Sequence, residues 1–324
     1  MDSILPSGAR ADETSALFLV GPTACGKTAL AAQIASRAGL EVISMDSMQV
    51  YRDIPIVSAQ PDEEDLSKAR HHLLAQIDPW EPFDTAHYVD RCSRVMEEVR
   101  GRGNACLFAG GTALYYHALT VGLSPLPGAN PQLRRRLMDQ ADREGAGALH
   151  RLLEQTDPPT AARLHPNDVR RLVRALEICE TSGCSLSSLL ALPKRPLVRR
   201  FRTVGISIPR EILYDRIDRR VDGMWARGLV SEIATLRLRL PKGRYPVQQA
   251  IGYRQITEYL DGSYPEEEAL RLVKRDSRRF ARRQIRQFQS MPGIAWLEAL
   301  SFDHDDARIE EALRLFGLSA PRDQ

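Results

Sequence analysis

Eight residues, Gly21-Pro22-Thr23-Ala24-Cys25-Gly26-Lys27-Thr28, constrain this chain more than any other stretch. They follow the pattern G-x-x-x-x-G-K-[ST], and both flanks suit it. Ala16 to Val20 is a short apolar run that reads as a buried strand, and Thr28 to Ala38 has helical composition and stops at Gly39. Strand, glycine loop and helix together make a phosphate cradle. Backbone N–H groups and the helix dipole face an anion, Lys27 adds charge, and the Thr28 hydroxyl is placed to take Mg²⁺. Such a loop implies an α/β fold with a parallel sheet of the P-loop NTPase type. Its default occupant is a nucleoside triphosphate such as ATP.

The remaining elements show where the chain departs from an ordinary ATPase. Leu40 to Met45 is a second strand, and Asp46 stands at its tip, at the mouth of an open sheet where ligands bind. The plainer reading of Asp46 is a cap on the following turn. Residues 47–61 read as an irregular loop punctuated by Pro55 and Pro61. Asp62 to Arg70 and Thr85 to Arg102 read as helices, with His71-His72 between them in a packing or substrate-loop role. Ala105 to Ala109 is a third strand, followed by Gly110-Gly111-Thr112 where a Walker-B strand would carry an acid for Mg²⁺.

At 324 residues the chain has room for about two domains. Residues 1–14 are polar and expected to be disordered, and the core comprises 15–125 and 201–300. Between them, residues 126–200 are helical and basic, an inserted domain carrying Arg134-Arg135-Arg136, Arg170-Arg171 and Arg174. Phe201 to Ile208 returns to the sheet as a fourth strand, and the helix after it carries Arg216 and Arg220 on one face. Lys274 to Arg286 holds seven basic residues against one acid, with Arg275, Arg279, Arg282 and Arg286 on one stripe. Solubility explains many such runs, but three basic clusters in one chain favour a nucleic-acid partner. Residues 301–324 form a last helix and a tail. No apolar run nears the roughly 18 residues of a membrane span, so a cytoplasmic protein is expected. The five cysteines are scattered and form no disulfide framework.

These residues resemble the tRNA dimethylallyltransferases, the tRNA isopentenyltransferase group. The resemblance rests on Gly21 to Ala31, Asp46-Ser47-Met48-Gln49-Val50-Tyr51, Gly110-Gly111-Thr112-Ala113-Leu114-Tyr115 and Gly122 to Pro127. It continues through His165-Pro166-Asn167-Asp168, Arg170 to Glu177, Ile251-Gly252-Tyr253-Arg254-Gln255 and Arg282-Arg283-Gln284, in the family's order over about residues 16–298. The resemblance implies transfer of a dimethylallyl group from dimethylallyl diphosphate to the exocyclic amine of adenosine 37 of tRNA, with Mg²⁺, by a monomer. It implies that residues 21–28 hold the diphosphate, Arg220 clamps it with Arg216 a weaker candidate, Asp46 is the general base, and Thr112 lies near the acceptor base or diphosphate. It places Asp46, Ser47, Met48, Gln49, Thr112, Arg134, Arg170, Arg171, Leu172, Val173 and Arg174 against tRNA, beside Arg282 and Arg283 of the basic stripe. Two departures stand out: Val57-Ser58-Ala59-Gln60-Pro61 replaces the usual Gly-Thr-Ala-Lys-Pro, and Cys25 replaces the loop's common serine. A small-molecule P-loop kinase, an isopentenyltransferase on free adenine nucleotides and a nucleotide-sensing RNA-binding protein are the competing readings.

Overall fold

A computed structural model describes residues 15–302 and 304–318; the extension 1–14 and the last tail residues lie outside the described residues. The apolar run expected to open the fold forms β1 (Ser15–Val20), all but its first residue buried. Helix α1 (Lys27–Ala38) follows the glycine loop and ends at Gly39, which takes the left-handed conformation of a C-cap. Then come β2 (Leu40–Met45), α2 (Glu63–Lys68), β3 (His71–His72), α3 (Thr85–Gly101), β4 (Ala105–Gly110) and α4 (Ala113–Thr120). After the inserted segment the chain returns through β5 (Arg200–Ser207), α10 (Arg210–Ala226), α11 (Leu229–Arg239), α12 (Tyr253–Leu260), α13 (Glu266–Gln289), β6 (Ile294–Glu298) and α14 (Asp305–Phe316). The insert supplies α5 (Pro131–Glu144), α6 (Ala146–Thr156), α7 (Pro158–Ala161), α8 (Val169–Ser182) and α9 (Leu186–Ala191).

The six strands lie in the order β3-β2-β4-β1-β5-β6, and every pair is parallel. A parallel sheet covered on both faces needs strands that are apolar throughout, and β2 is buried at all six positions. Separate apolar clusters fill the two sides. One joins Leu17, Leu19 and Ile34 to Ile217 and Phe316. The other joins Phe18, Phe108 and Tyr88 to Phe288. The phosphate loop leaves β1 where the chain's connections diverge to either side, the usual crevice for a ligand in such a sheet.

The His71-His72 pair forms the edge strand β3, an element the sequence did not suggest. His72 packs inward, its Nε2 2.6 Å from the Glu41 carboxylate. The same carboxylate accepts from Arg102 Nε (2.8 Å), Arg102 Nη2 (2.7 Å) and Asn104 Nδ2 (2.9 Å). Arg102 above all, aided by Asn104 and His72, holds the Glu41 carboxyl at about 2 against an ordinary 4.5. A carboxylate lowered on folding adds stability above its ordinary value and loses it as the pH falls toward the folded one. The acid limb of unfolding between about pH 4.5 and 2 should therefore flatten in Glu41→Gln; a limb as steep as wild type would show that this cluster does not govern it.

The inserted unit spans Val121–Pro196, so the expected 126–200 is corrected at both ends. Leu123 bridges Arg195, which closes the insert on itself before Leu126 is reached. At the other end Val198 is fully buried in the core cluster and its N–H donates to Leu119 O (2.9 Å), so it belongs to the sheet domain. Within the insert, Leu137, Leu149, Leu153, Leu172 and Leu176 make the core. Glu177 is fully buried there and accepts from Asn130 N–H at 2.6 Å, Arg174 Nη1 at 2.7 Å and Arg134 Nε at 2.9 Å.

Candidate active site

The loop departs from regular backbone where its function requires it. Ala24 and Gly26 both have positive φ, 63° and 89°, which turns successive amides toward one side. Gly26 caps α1 without offering a side chain, so the first-turn N–H groups are left for an anion. Lys27 folds back over its own loop, its Nζ donating to Pro22 O at 2.6 Å and lying 3.7 Å from Cys25 Sγ. The Thr28 hydroxyl lines the cavity and takes no hydrogen bond among the described residues. Cys25 is buried in the core with its Sγ against Lys27 Nζ, so the serine-to-cysteine change puts a thiol beside the loop lysine.

A cavity of about 330 Å³ opens above the loop. It brings Thr23, Lys27, Thr28, Asp46 and Arg220 together on one space. Arg220 donates from Nη1 to Thr23 Oγ1 at 3.3 Å. Burial draws its guanidinium below the ordinary value while the charge of Asp46 opposes that shift, the mark of a cation enclosed opposite a carboxylate. Arg216, one turn earlier, does not line the cavity.

Asp46 does both things its sequence position allowed. Oδ1 accepts the Met48 N–H at 2.8 Å, shaping the turn, while Oδ2 has no hydrogen-bond donor among the described residues. Thr112 lies outside the cavity lining; its Oγ1 accepts the Ser47 N–H at 3.3 Å and so holds the turn that carries Asp46. Gly110 permits this arrangement, because a Cβ there would sit 2.1 Å from Met45 O. β4 ends at Gly110 and is followed by Gly111 and Thr112 rather than by an acid.

The loop 47–61, irregular in sequence, is braced from three directions. Ser44 Oγ donates to Gln49 Oε1 (2.7 Å), and Gln49 Nε2 donates to Ala59 O (3.0 Å). Gln60, at the departure from the family pattern, donates to Gln49 O (3.1 Å) and Tyr51 O (3.0 Å). Glu232 accepts from both Ile56 N–H and Val57 N–H at 2.8 Å. The replaced lysine thus becomes an internal brace. Of the residues expected against tRNA here, Ser47, Met48 and Gln49 all line the cavity with Asp46, and Gln49 has both ends of its amide engaged inside the loop.

The expected tRNA contacts of the insert divide. Leu172 and Val173 are 0% and 4% exposed, so their side chains are core and that expectation is corrected. Arg134 and Arg174 stay at the insert's surface, 44% and 33% exposed, each held in place by an ion pair to buried Glu177. Arg170 and Arg171 stand exposed, Arg171 with Asp168 at 3.3 Å. On α13 the stripe also divides. Arg275 and Arg279 face Asp276 at 2.9 and 3.4 Å. Arg282, Arg283 and Arg286 are exposed and meet no acid among the described residues, and Arg283 lies 5.8 Å over the Phe280 ring.

Sequence reasoning named Glu177 and Gln284 only as parts of longer motifs and gave them no role, and it missed Glu232. Gln284 occupies the apolar stripe of α13 between Ala281 and Phe288 and is 3% exposed. A polar residue on the buried face of an otherwise charged helix is the signal that could have found it.

A phosphate loop faced across one cavity by an arginine and a carboxylate is the arrangement of a phosphate-loop transferase. The family model for IPP transferase matches residues 49–291, and that for the ATPase family associated with various cellular activities matches 17–79. A tRNA dimethylallyltransferase of Geobacter metallireducens is 40% identical over 290 residues, covering 89% of this chain and 93% of that protein. One of Burkholderia vietnamiensis is 42% identical over 294 residues, covering 89% and 88%. Among solved structures, the tRNA isopentenylpyrophosphate transferase of Bacillus halodurans superposes with a TM-score of 0.69 at 36% identity, covering 94% of this chain and 96% of that one. A eukaryotic dimethylallyltransferase acting on tRNA gives 0.76 at 25%, covering 96% and 81%. The chain belongs to the IPP transferase family, the tRNA dimethylallyltransferases.

Proposed function

We propose that this chain transfers the dimethylallyl group of dimethylallyl diphosphate to the N6 amine of adenosine at position 37 of tRNA. The observation that carries this reading is the meeting of the phosphate loop, Arg220 and the unengaged oxygen of Asp46 on one cavity. The amine nitrogen forms a bond to the allylic carbon as the carbon–oxygen bond to diphosphate breaks. The amine proton passes to Asp46, and the leaving diphosphate stays on the amides of residues 21–28, Lys27 and Arg220. An amine inside an anticodon-loop stack is reached only if the base is turned out of it.

Mg²⁺ suits this site as a companion of the diphosphate. Such an ion asks for one or two protein groups and completes its shell from phosphate and water. The Thr28 hydroxyl is unengaged and lines the cavity, while the described residues include no cluster of three His, Cys, Asp or Glu that would hold a metal alone. Bound there, Mg²⁺ would offset charge on the departing diphosphate.

No helix among the described residues is long and apolar enough to cross a membrane. On this reading the enzyme works as a cytoplasmic monomer. The direct test incubates undermodified tRNA with labelled dimethylallyl diphosphate and Mg²⁺, with ATP in parallel. Label in tRNA supports the reading. Loss of ATP's terminal phosphate without prenyl transfer would overturn it in favour of a nucleotide-consuming enzyme, the kinase among them.

Exposed arginines without acidic partners give a second test. Replacing Arg282 and Arg283 with glutamine should lower the slope of log affinity for tRNA against log salt by ~1 per charge removed. An unaltered slope would make this end of α13 a merely solvated surface.

A further inference from the structure

Gln284 lies at the junction of the two halves of the reaction. Its Oε1 accepts the Thr23 N–H at 2.8 Å, inside the phosphate loop. Its Nε2 donates to Gly111 O at 3.0 Å, in the turn after β4. Thr23 also receives Arg220 on its hydroxyl, so one loop residue is held by α10 and α13 together. The backbone at 111 leaves no room for a side chain, since a Cβ there would lie 2.1 Å from Gln284 Nε2. Arg282 and Arg283, immediately before it in sequence, are exposed.

We infer that Gln284 is a positioning residue, latching the phosphate loop to the Gly110-Gly111-Thr112 turn so that the basic helix α13 fixes the geometry of the diphosphate site. This rests on the reading that the loop holds diphosphate. The amide is suited to the task because it accepts from one strand end and donates to the other with a single planar group. Neighbours on the same face anchor it: Ala281 and Phe288 are fully buried. The loop's amides then meet the anion already oriented, which is what preorganised stabilisation of a leaving group requires.

Gln284→Met tests the latch, since it keeps volume and burial but neither polar end. It should weaken binding of inorganic pyrophosphate with Mg²⁺, measured calorimetrically, by ~5–30-fold, the range of one or two hydrogen bonds. KM for dimethylallyl diphosphate should rise and kcat fall, while tRNA affinity stays within about threefold. Gly111→Ala should reproduce the defect by displacing the amide. The double variant should be no worse than the poorer single one, because both act through one contact. Thermal melts on each variant separate this from misfolding. Wild-type pyrophosphate affinity in a folded Gln284→Met, or additive losses in the double variant, would overturn the latch. Failure of the wild-type protein to bind pyrophosphate at all would instead overturn the diphosphate reading beneath it.

Discussion

Asp46→Ala should lower the single-turnover rate of dimethylallyl transfer by ~10²–10⁴-fold, the usual contribution of a positioned general base. Its affinity for tRNA should stay within a few-fold. The carboxylate has two jobs in the structure, and a second variant separates them. Oδ1 holds the Met48 N–H at 2.8 Å, whereas Oδ2 is open to the cavity. Asp46→Asn keeps an acceptor for Met48 and removes the base. It should fall nearly as far as Ala in rate while preserving the turn. Transfer at wild-type speed in the asparagine variant would remove Asp46 from the chemistry and leave it the role of a turn residue.

Arg220→Ala should reduce kcat/KM for the prenyl donor by ~10²–10³-fold, comparable to losing one stabilising donor in an enclosed site. The effect should appear in donor and pyrophosphate binding and leave tRNA affinity nearly unchanged, because Arg220 reaches Thr23 of the loop rather than an outer surface. Arg220→Lys should recover little. A lysine supplies a point charge, but not the planar fork that can hold Thr23 and an anion together. A lysine variant with wild-type kinetics would mean that charge alone suffices there, and that the contact to Thr23 is incidental.

The elements legible in the sequence are those whose signal is local. β1, β2, β4 and β5 fall within a residue or two of the runs expected, because the covered stretch of each strand is mostly apolar. The phosphate loop is legible for the same reason: its glycines, lysine and flanks lie within one short segment. β3 was not legible, since two histidines make a strand only where the edge of β2 receives them. Arg134 and Arg174 read as surface charge and are at least partly exposed, but their pairing with Glu177 was not legible, because packing between α5 and α8 sets it. Leu172 and Val173 read as part of a basic motif, yet the helical period turns them inward. Gln284 is the instructive case: both of its partners are more than 170 positions away in sequence, at separations of 261 and 173. The pairing of β1 with β4, and α13 packed over their ends, bring them together.

The bridge between Leu123 and Arg195 carries a consequence for the history of such chains. Where an excursion leaves and re-enters at neighbouring points, recombination can exchange it without re-threading the strands. The Val198 N–H to Leu119 O bond already ties the sheet domain's own cut ends together at 2.9 Å. Residues 121–196 are thus bounded like a cassette, and a lineage could trade one helical module for another while inheriting the sheet and its phosphate loop intact.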